Sequence, residues 1–121
     1  MEMSRSRSSM EGELEPATEV SPEELLQMLQ REEDPPLLID VRKPWEHQFS
    51  RIDRSTLIPL DALPGRLTEL EPSREIIVYC HHGIRSHAAA EYLRSLGYSA
   101  RSLQGGIDLW AQRIDRDVPT Y

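Results

Sequence analysis

The run Ile76-Ile77-Val78-Tyr79 constrains the fold more than any other stretch of the chain. Four consecutive apolar residues, three of them β-branched, do not suit a half-exposed sheet, where alternate positions face water. They call for a strand covered on both faces. Leu37-Leu38-Ile39-Asp40-Val41 reads the same way. Strands buried on both faces belong in parallel sheets, and parallel strands need crossovers, usually helices. The intervening sequence supplies them. Ser21-Pro22-Glu23-Glu24 is a helix start, with Ser21 as N-cap, Pro22 at the first helical position and Glu24 closing a capping box. The apolar stripe Leu25, Leu26, Met28, Leu29 continues that helix to about Arg31. Trp45 to Ser50 reads as a short helical turn and Leu57 to Leu60 as a short edge strand. Asp61 caps a predicted helix through Leu70, with Leu63, Leu67 and Leu70 on one face. A further helix runs from about Arg85 to Leu96, stopped by Gly97. A last strand, Ala100 to Leu103, turns through Gln104-Gly105-Gly106 into a final helix from Ile107 to about Ile114. This alternation predicts an α/β fold. Its expected form is a three-layer, open, mostly parallel sheet of about five short strands with helices on both faces. The domain is expected over residues 16–121, after a disordered leader over 1–15 that lacks periodicity.

Composition excludes several function classes. With 121 residues the chain is about one domain. No apolar run approaches the roughly 18–20 residues that span a bilayer, and no apolar region follows Arg5 and Arg7 as a secretory signal would require. The net charge of −7 is concentrated in residues 1–34, where ten acids face three bases; the remainder is balanced. No basic stripe suggests a nucleic acid. The single cysteine, Cys80, permits no internal disulfide and no multi-cysteine zinc site, and an unpaired thiol suits a reducing, cytoplasmic setting.

That cysteine stands directly after the most buried strand, at the strand end where such sheets place their ligands. Cys80-His81-His82-Gly83-Ile84-Arg85-Ser86 opens into a helix. Gly83 permits backbone geometry that other residues resist. Successive N–H groups in such a loop can point inward as an anion-binding nest, and the helix terminus and Arg85 add positive charge. The expected consequence is a thiol whose anion is favoured, in a cradle equally suited to a persulfide. His81 and His82 flank the mouth of the loop. With Cys80 and His87 they imitate a metal set, but adjacent side chains in a tight loop do not readily converge on one ion, and no metal is expected. Asp40 and Arg42 end the neighbouring strand and read as a supporting ion pair.

Three blocks together resemble a single-domain rhodanese, of the thiosulfate sulfurtransferase family. They are Leu38-Ile39-Asp40-Val41-Arg42 with Trp45-Glu46, the Cys80–Ser86 loop, and Leu103-Gln104-Gly105-Gly106-Ile107-Asp108-Leu109-Trp110. The resemblance implies ping-pong sulfur transfer without cofactor or metal. Cys80 is the catalytic nucleophile, and His81, His82, Gly83, Ile84, Arg85 and Ser86 bind substrate. The donor is thiosulfate or a low-molecular-weight persulfide. The acceptor is cyanide, a thiol or an acceptor protein, with no nucleic acid or membrane partner. Two other readings of the same fold stay open. One is a non-catalytic interaction module, although such modules typically lack the cysteine. The other is a phosphatase or arsenate reductase, although the dual-specificity phosphatases that resemble rhodaneses place five residues between Cys and Arg, against four here. The chain also departs from the family pattern: Ser50-Arg51-Ile52-Asp53-Arg54-Ser55 lacks the glycines usual there, and Arg51 and Arg54 either attract an anionic donor or face solvent.

Overall fold

The computed structural model describes residues 18–121, so the expected leader at 1–15 lies outside the described residues. In chain order the elements are β1 (Glu19–Val20), α1 (Pro22–Leu29), β2 (Leu37–Asp40), α2 (Pro44–Phe49), β3 (Thr56–Leu57), a 3-10 segment (Leu60–Glu69), β4 (Ile76–Tyr79), α3 (Ile84–Ser95), β5 (Ala100–Leu103) and α4 (Gly106–Arg113). The five strands form one sheet in the order β1-β5-β4-β2-β3, and every pairing is parallel. From β2 the chain steps outward to β3 and then returns to β4 on the other side of β2. The crevice between β2 and β4 is therefore the switch point where ligands sit in such sheets.

Successive side chains of a strand point to opposite faces, and the two cores follow that alternation. Ile76, Val78 and Cys80 pack with Leu63 of the 3-10 segment, Leu70 just after it, and Ala89, Ala90 and Leu93 of α3. Ile77 and Tyr79 pack with Leu25, Met28 and Leu29 of α1 and Ile107 and Trp110 of α4. All of β4 is buried, as its unbroken apolar run requires. The α1 capping box forms as its sequence dictates: the Glu24 amide donates to Ser21 Oγ at 3.0 Å, and the Ser21 amide donates to Glu24 Oε1 at 2.8 Å.

Two elements differ from the sequence-based expectation. The helix expected from Asp61 is a 3-10 segment beginning at Leu60, with non-helical backbone at Arg66. Pro64 lies inside it; proline lacks the amide an α-helix needs and crowds the preceding turn, so the chain takes the tighter form. The edge strand β1 was not anticipated, because two residues are too few to show a period; Val20 nonetheless pairs with Leu103 and is buried.

The glycine-poor stretch after α2 is held by specific anchors. The Ile52 amide donates to the Tyr79 hydroxyl at 3.1 Å, and Ser55 Oγ bonds the same hydroxyl at 2.9 Å. Arg54 takes the left-handed conformation, φ 69°, and donates to the Leu29 carbonyl at 3.0 Å. Arg51 donates to the His47 carbonyl at 3.2 Å. Both arginines thus donate to backbone carbonyls of helices, Arg51 to α2 and Arg54 to α1.

Asp40 and Arg42, at the end of β2, are fully buried. Arg42 Nε and Nη2 donate to the Asp40 carboxylate at 2.9 and 2.8 Å, and the Arg42 amide donates to Asp40 Oδ1 at 3.0 Å. Nη2 also donates to the Ser50 carbonyl, and His47 Nδ1 lies 2.8 Å from Asp40 Oδ2. Removing one partner strands a buried charge. Arg42→Met is expected to destabilise the protein by about 3–5 kcal/mol in urea unfolding, and the Asp40→Asn, Arg42→Met double variant by less than the sum of the two single changes.

Candidate active site

Cys80 directly follows the C-terminal end of β4 and is 1% exposed. Gly83 adopts φ 110° and turns the chain sharply into α3. That turn aims two backbone amides at the thiol: Gly83 N lies 3.1 Å and Ser86 N 3.3 Å from Cys80 Sγ. The predicted nest is therefore present. Beneath it is a feature the motif did not disclose. Ser86 Oγ, 3.5 Å from the sulfur, lies 2.7 Å from Ser102 Oγ of β5, and both hydroxyls are buried. Ser102 can donate to Ser86 while Ser86 donates to a sulfur anion. A serine inside an otherwise buried strand was the available sequence signal, but nothing in the sequence placed it under Cys80.

The loop is also gripped from outside. The Ile107 and Asp108 amides, in the first turn of α4, donate to the carbonyls of Cys80 and His81 at 2.9 and 3.1 Å. This approach depends on Gly106. A Cβ there would stand 2.3 Å from the His81 oxygen and 2.5 Å from the Cys80 oxygen, and its φ of 63° is in the left-handed region. Gly105-Gly106 is thus more than the tight turn expected from the sequence.

Arg85 is placed differently from a free anion-binding cation. Its Nη1 and Nη2 donate to Glu46 Oε1 and Oε2 at 2.7 and 3.0 Å. Glu46 also accepts from the Lys43 amide at 3.0 Å and from the Tyr121 hydroxyl at 2.6 Å. The Arg85 bonds, against the cost of burial, hold the Glu46 carboxyl at about 2, below its usual 4.5. Arg85 is correspondingly raised, chiefly by Glu46. Nothing in the sequence placed Glu46 against Arg85.

Tyr121 was also missed. Its hydroxyl accepts from Arg42 Nη1 at 2.8 Å while donating to Glu46, and burial pushes it up to about 12. Its ring stacks on His81 at 4.0 Å and meets Trp45 and Phe49 edge-on at 5.6 and 5.5 Å. No sequence pattern identifies such a residue. Asp40 and Arg42 form an ion pair and connect to Glu46 through Tyr121.

His81 is sandwiched between Tyr121 and His82, whose ring lies 3.9 Å away. Burial, then the neighbouring His82, depresses its titration below 6.5. His82 is exposed, 3.8 Å from Asp108. His81, His82 and Asp108 bring ligand-type atoms within 4.8 Å, so Asp108 rather than His87 joins the histidines. A ring nitrogen binds a metal in the plane of its ring. Stacked rings hold those lone pairs side by side instead of converging, so the arrangement does not suit an ion. Ile84 extends into solvent, 82% exposed.

The profile of the rhodanese-like domain family matches residues 21–113. The chain belongs to this family. A relative named "Sulfurtransferase" from Allochromatium vinosum is 37% identical over 95 residues, covering 78% of this chain and 88% of that protein. The "Probable adenylyltransferase/sulfurtransferase MoeZ" of Mycobacterium tuberculosis is 38% identical over 87 residues, covering 69% of this chain and 22% of that longer protein. Among solved structures, a rhodanese-related protein from Thermoplasma volcanium superposes with a TM-score of 0.75 at 30% identity, covering 86% of this chain and 99% of that one. The rhodanese-like loop of this chain thus sits in the family's sheet, held by its own set of contacts.

Two substitutions test those contacts. Gly106→Ala is expected to cost at least ~2 kcal/mol and to lower the reactivity of Cys80 toward iodoacetamide. Gly97→Ala is the comparison: it also has positive φ but open space around it, and should lose only ~1 kcal/mol. Ser102→Ala is expected to slow iodoacetamide alkylation of Cys80 about fivefold at neutral pH, the equivalent of one hydrogen bond of ~1 kcal/mol, with no matching fall in melting temperature.

Proposed function

We propose that the protein is a sulfurtransferase that carries sulfane sulfur as a persulfide on Cys80. The observation that carries this reading is the pair of Gly83 and Ser86 amides aimed at Cys80 Sγ at the end of β4. Two N–H donors at a helix start stabilise a sulfur anion, which is the state needed to attack and the state left on a persulfide. Family membership and the sulfurtransferase relative support the same class of activity.

The reaction is nucleophilic covalent catalysis in two halves. The Cys80 thiolate attacks the outer sulfur of thiosulfate or of a low-molecular-weight persulfide. The donor's S–S bond breaks, and its electron pair leaves on sulfite or on a thiolate. A thiophilic acceptor, cyanide or a thiol, then attacks the outer sulfur of the enzyme persulfide and regenerates the Cys80 thiolate. No general base is required for an ionised nucleophile, so His81 and His82 are assigned contact with the substrate only. Cys80 is the chain's one cysteine, so no internal thiol can resolve the persulfide and the sulfur must pass to an external acceptor. The same fact favours a reducing compartment, the cytoplasm, as the place of action.

Intact mass spectrometry after incubation with excess donor and desalting tests the proposal. The expected result is a gain of one sulfur atom on the native protein, removed by cyanide, and no gain on Cys80→Ser. Native protein that retains no sulfur from thiosulfate or from an organic persulfide would overturn it.

A further inference from the structure

A site built for a dianionic donor needs positive charge that is free to meet it. Among the described residues, the two arginines of this network, Arg85 and Arg42, are already matched. Both terminal nitrogens of Arg85 are engaged by Glu46, whose carboxylate receives four hydrogen bonds, from Arg85 twice, the Lys43 amide and the Tyr121 hydroxyl. Such a carboxylate is fixed in place, and an incoming anion would have to compete with it for the Arg85 fork. Arg42 is matched by Asp40. Asp108 adds a further acid beside His82.

The surroundings are also apolar. Val41, Pro44, Trp45, Pro59 and Leu60 line a cleft of about 790 Å³ that has Arg42 and Arg85, each held by its carboxylate partner, in its wall; its other charged side chains, Lys43 and Asp61, are of opposite sign. Trp45, 57% exposed, and Phe49 stand with Tyr121 beside this mouth. Partly exposed aromatic surface with balanced charge fits an organic group better than an oxyanion.

We propose that the donor is a small organic persulfide with an uncharged, apolar tail, taken in preference to thiosulfate, and that Glu46 sets this preference by occupying Arg85. This rests on the sulfur-transfer reading above. With thiosulfate, a thiolate meets a dianion and a sulfite dianion departs. With R–S–SH, the Cys80 thiolate attacks the outer sulfur of a neutral molecule, the S–S bond breaks, and the electron pair leaves on R–S⁻. The products are Cys80–S–SH and one thiolate, so a single negative charge is carried through the step. The apolar cleft receives R. Glu46 and Tyr121 act here as positioning residues, through Arg85.

The test measures the initial rate of sulfur loading on Cys80 by intact mass, with benzyl persulfide and with thiosulfate at equal concentration. Each rate is divided by that of the same donor with N-acetylcysteine. The native protein is expected to favour the persulfide at least ~10-fold, the scale of one unscreened charge at a partly buried site. Glu46→Gln is expected to move the ratio toward thiosulfate about tenfold. Tyr121→Phe, which removes one hydrogen bond to the same carboxylate, should move it about threefold in that direction and serves where Glu46→Gln does not fold. A native protein that favours thiosulfate, or a ratio unmoved by the folded variant, overturns the proposal while leaving sulfur transfer intact. Failure of both donors to load Cys80 overturns the sulfur-transfer reading itself.

Discussion

The loop that begins at Cys80 has little to hold it in shape from within. Six residues that turn a strand into a helix leave several backbone groups without regular partners, and those groups must be satisfied elsewhere. The first turn of α4 has the opposite surplus, amides with no intrahelical acceptor. The fold sets one against the other: Ile107 and Asp108 donate to the carbonyls of Cys80 and His81. With those carbonyls tied outward, the Gly83 and Ser86 amides are left facing the sulfur. The arrangement tolerates no side chain at Gly106, where two backbones nearly touch. The shape of the cradle and the packing of the last helix are one constraint.

A second network reaches the loop from the β2 side. Asp40, Arg42, Tyr121, Glu46 and Arg85 alternate acid, base and phenol in a continuous run of hydrogen bonds. Its inner end is fully buried and its outer end lies at the mouth of the site. In a region of reduced dielectric such a chain is stable only if every member is paired. The cation at the edge of the loop is therefore fixed by groups far from it in sequence. Its charge is paired with Glu46.

Much of this was legible in the residues. The unbroken apolar runs of β2 and β4 required a covered parallel sheet, because a strand's alternate side chains reach both faces. Ser21 and Glu24 announced α1, since a capping box is a contact between residues three apart. Cys80, Gly83 and Ser86 declared a sulfur-centred loop for the same reason: the amide bonds to the sulfur span at most six positions. Pro64 carried the signal that its segment would not be α-helical, and the leucine period over that segment masked it.

What the sequence by itself determined are the features set by near neighbours: the two central strands, the helix starts and the turn that follows Cys80. Tertiary structure alone decided which groups meet across the mouth of the sheet. Ser102 lies under Cys80 because β5 pairs with β4, and Glu46 reaches Arg85 because β2 lies on β4's other side. Tyr121 closes over His81 although forty positions separate them in the chain. Periodicity and spacing record local geometry, whereas these contacts follow from strand order and from the burial of charge, which only the assembled sheet specifies.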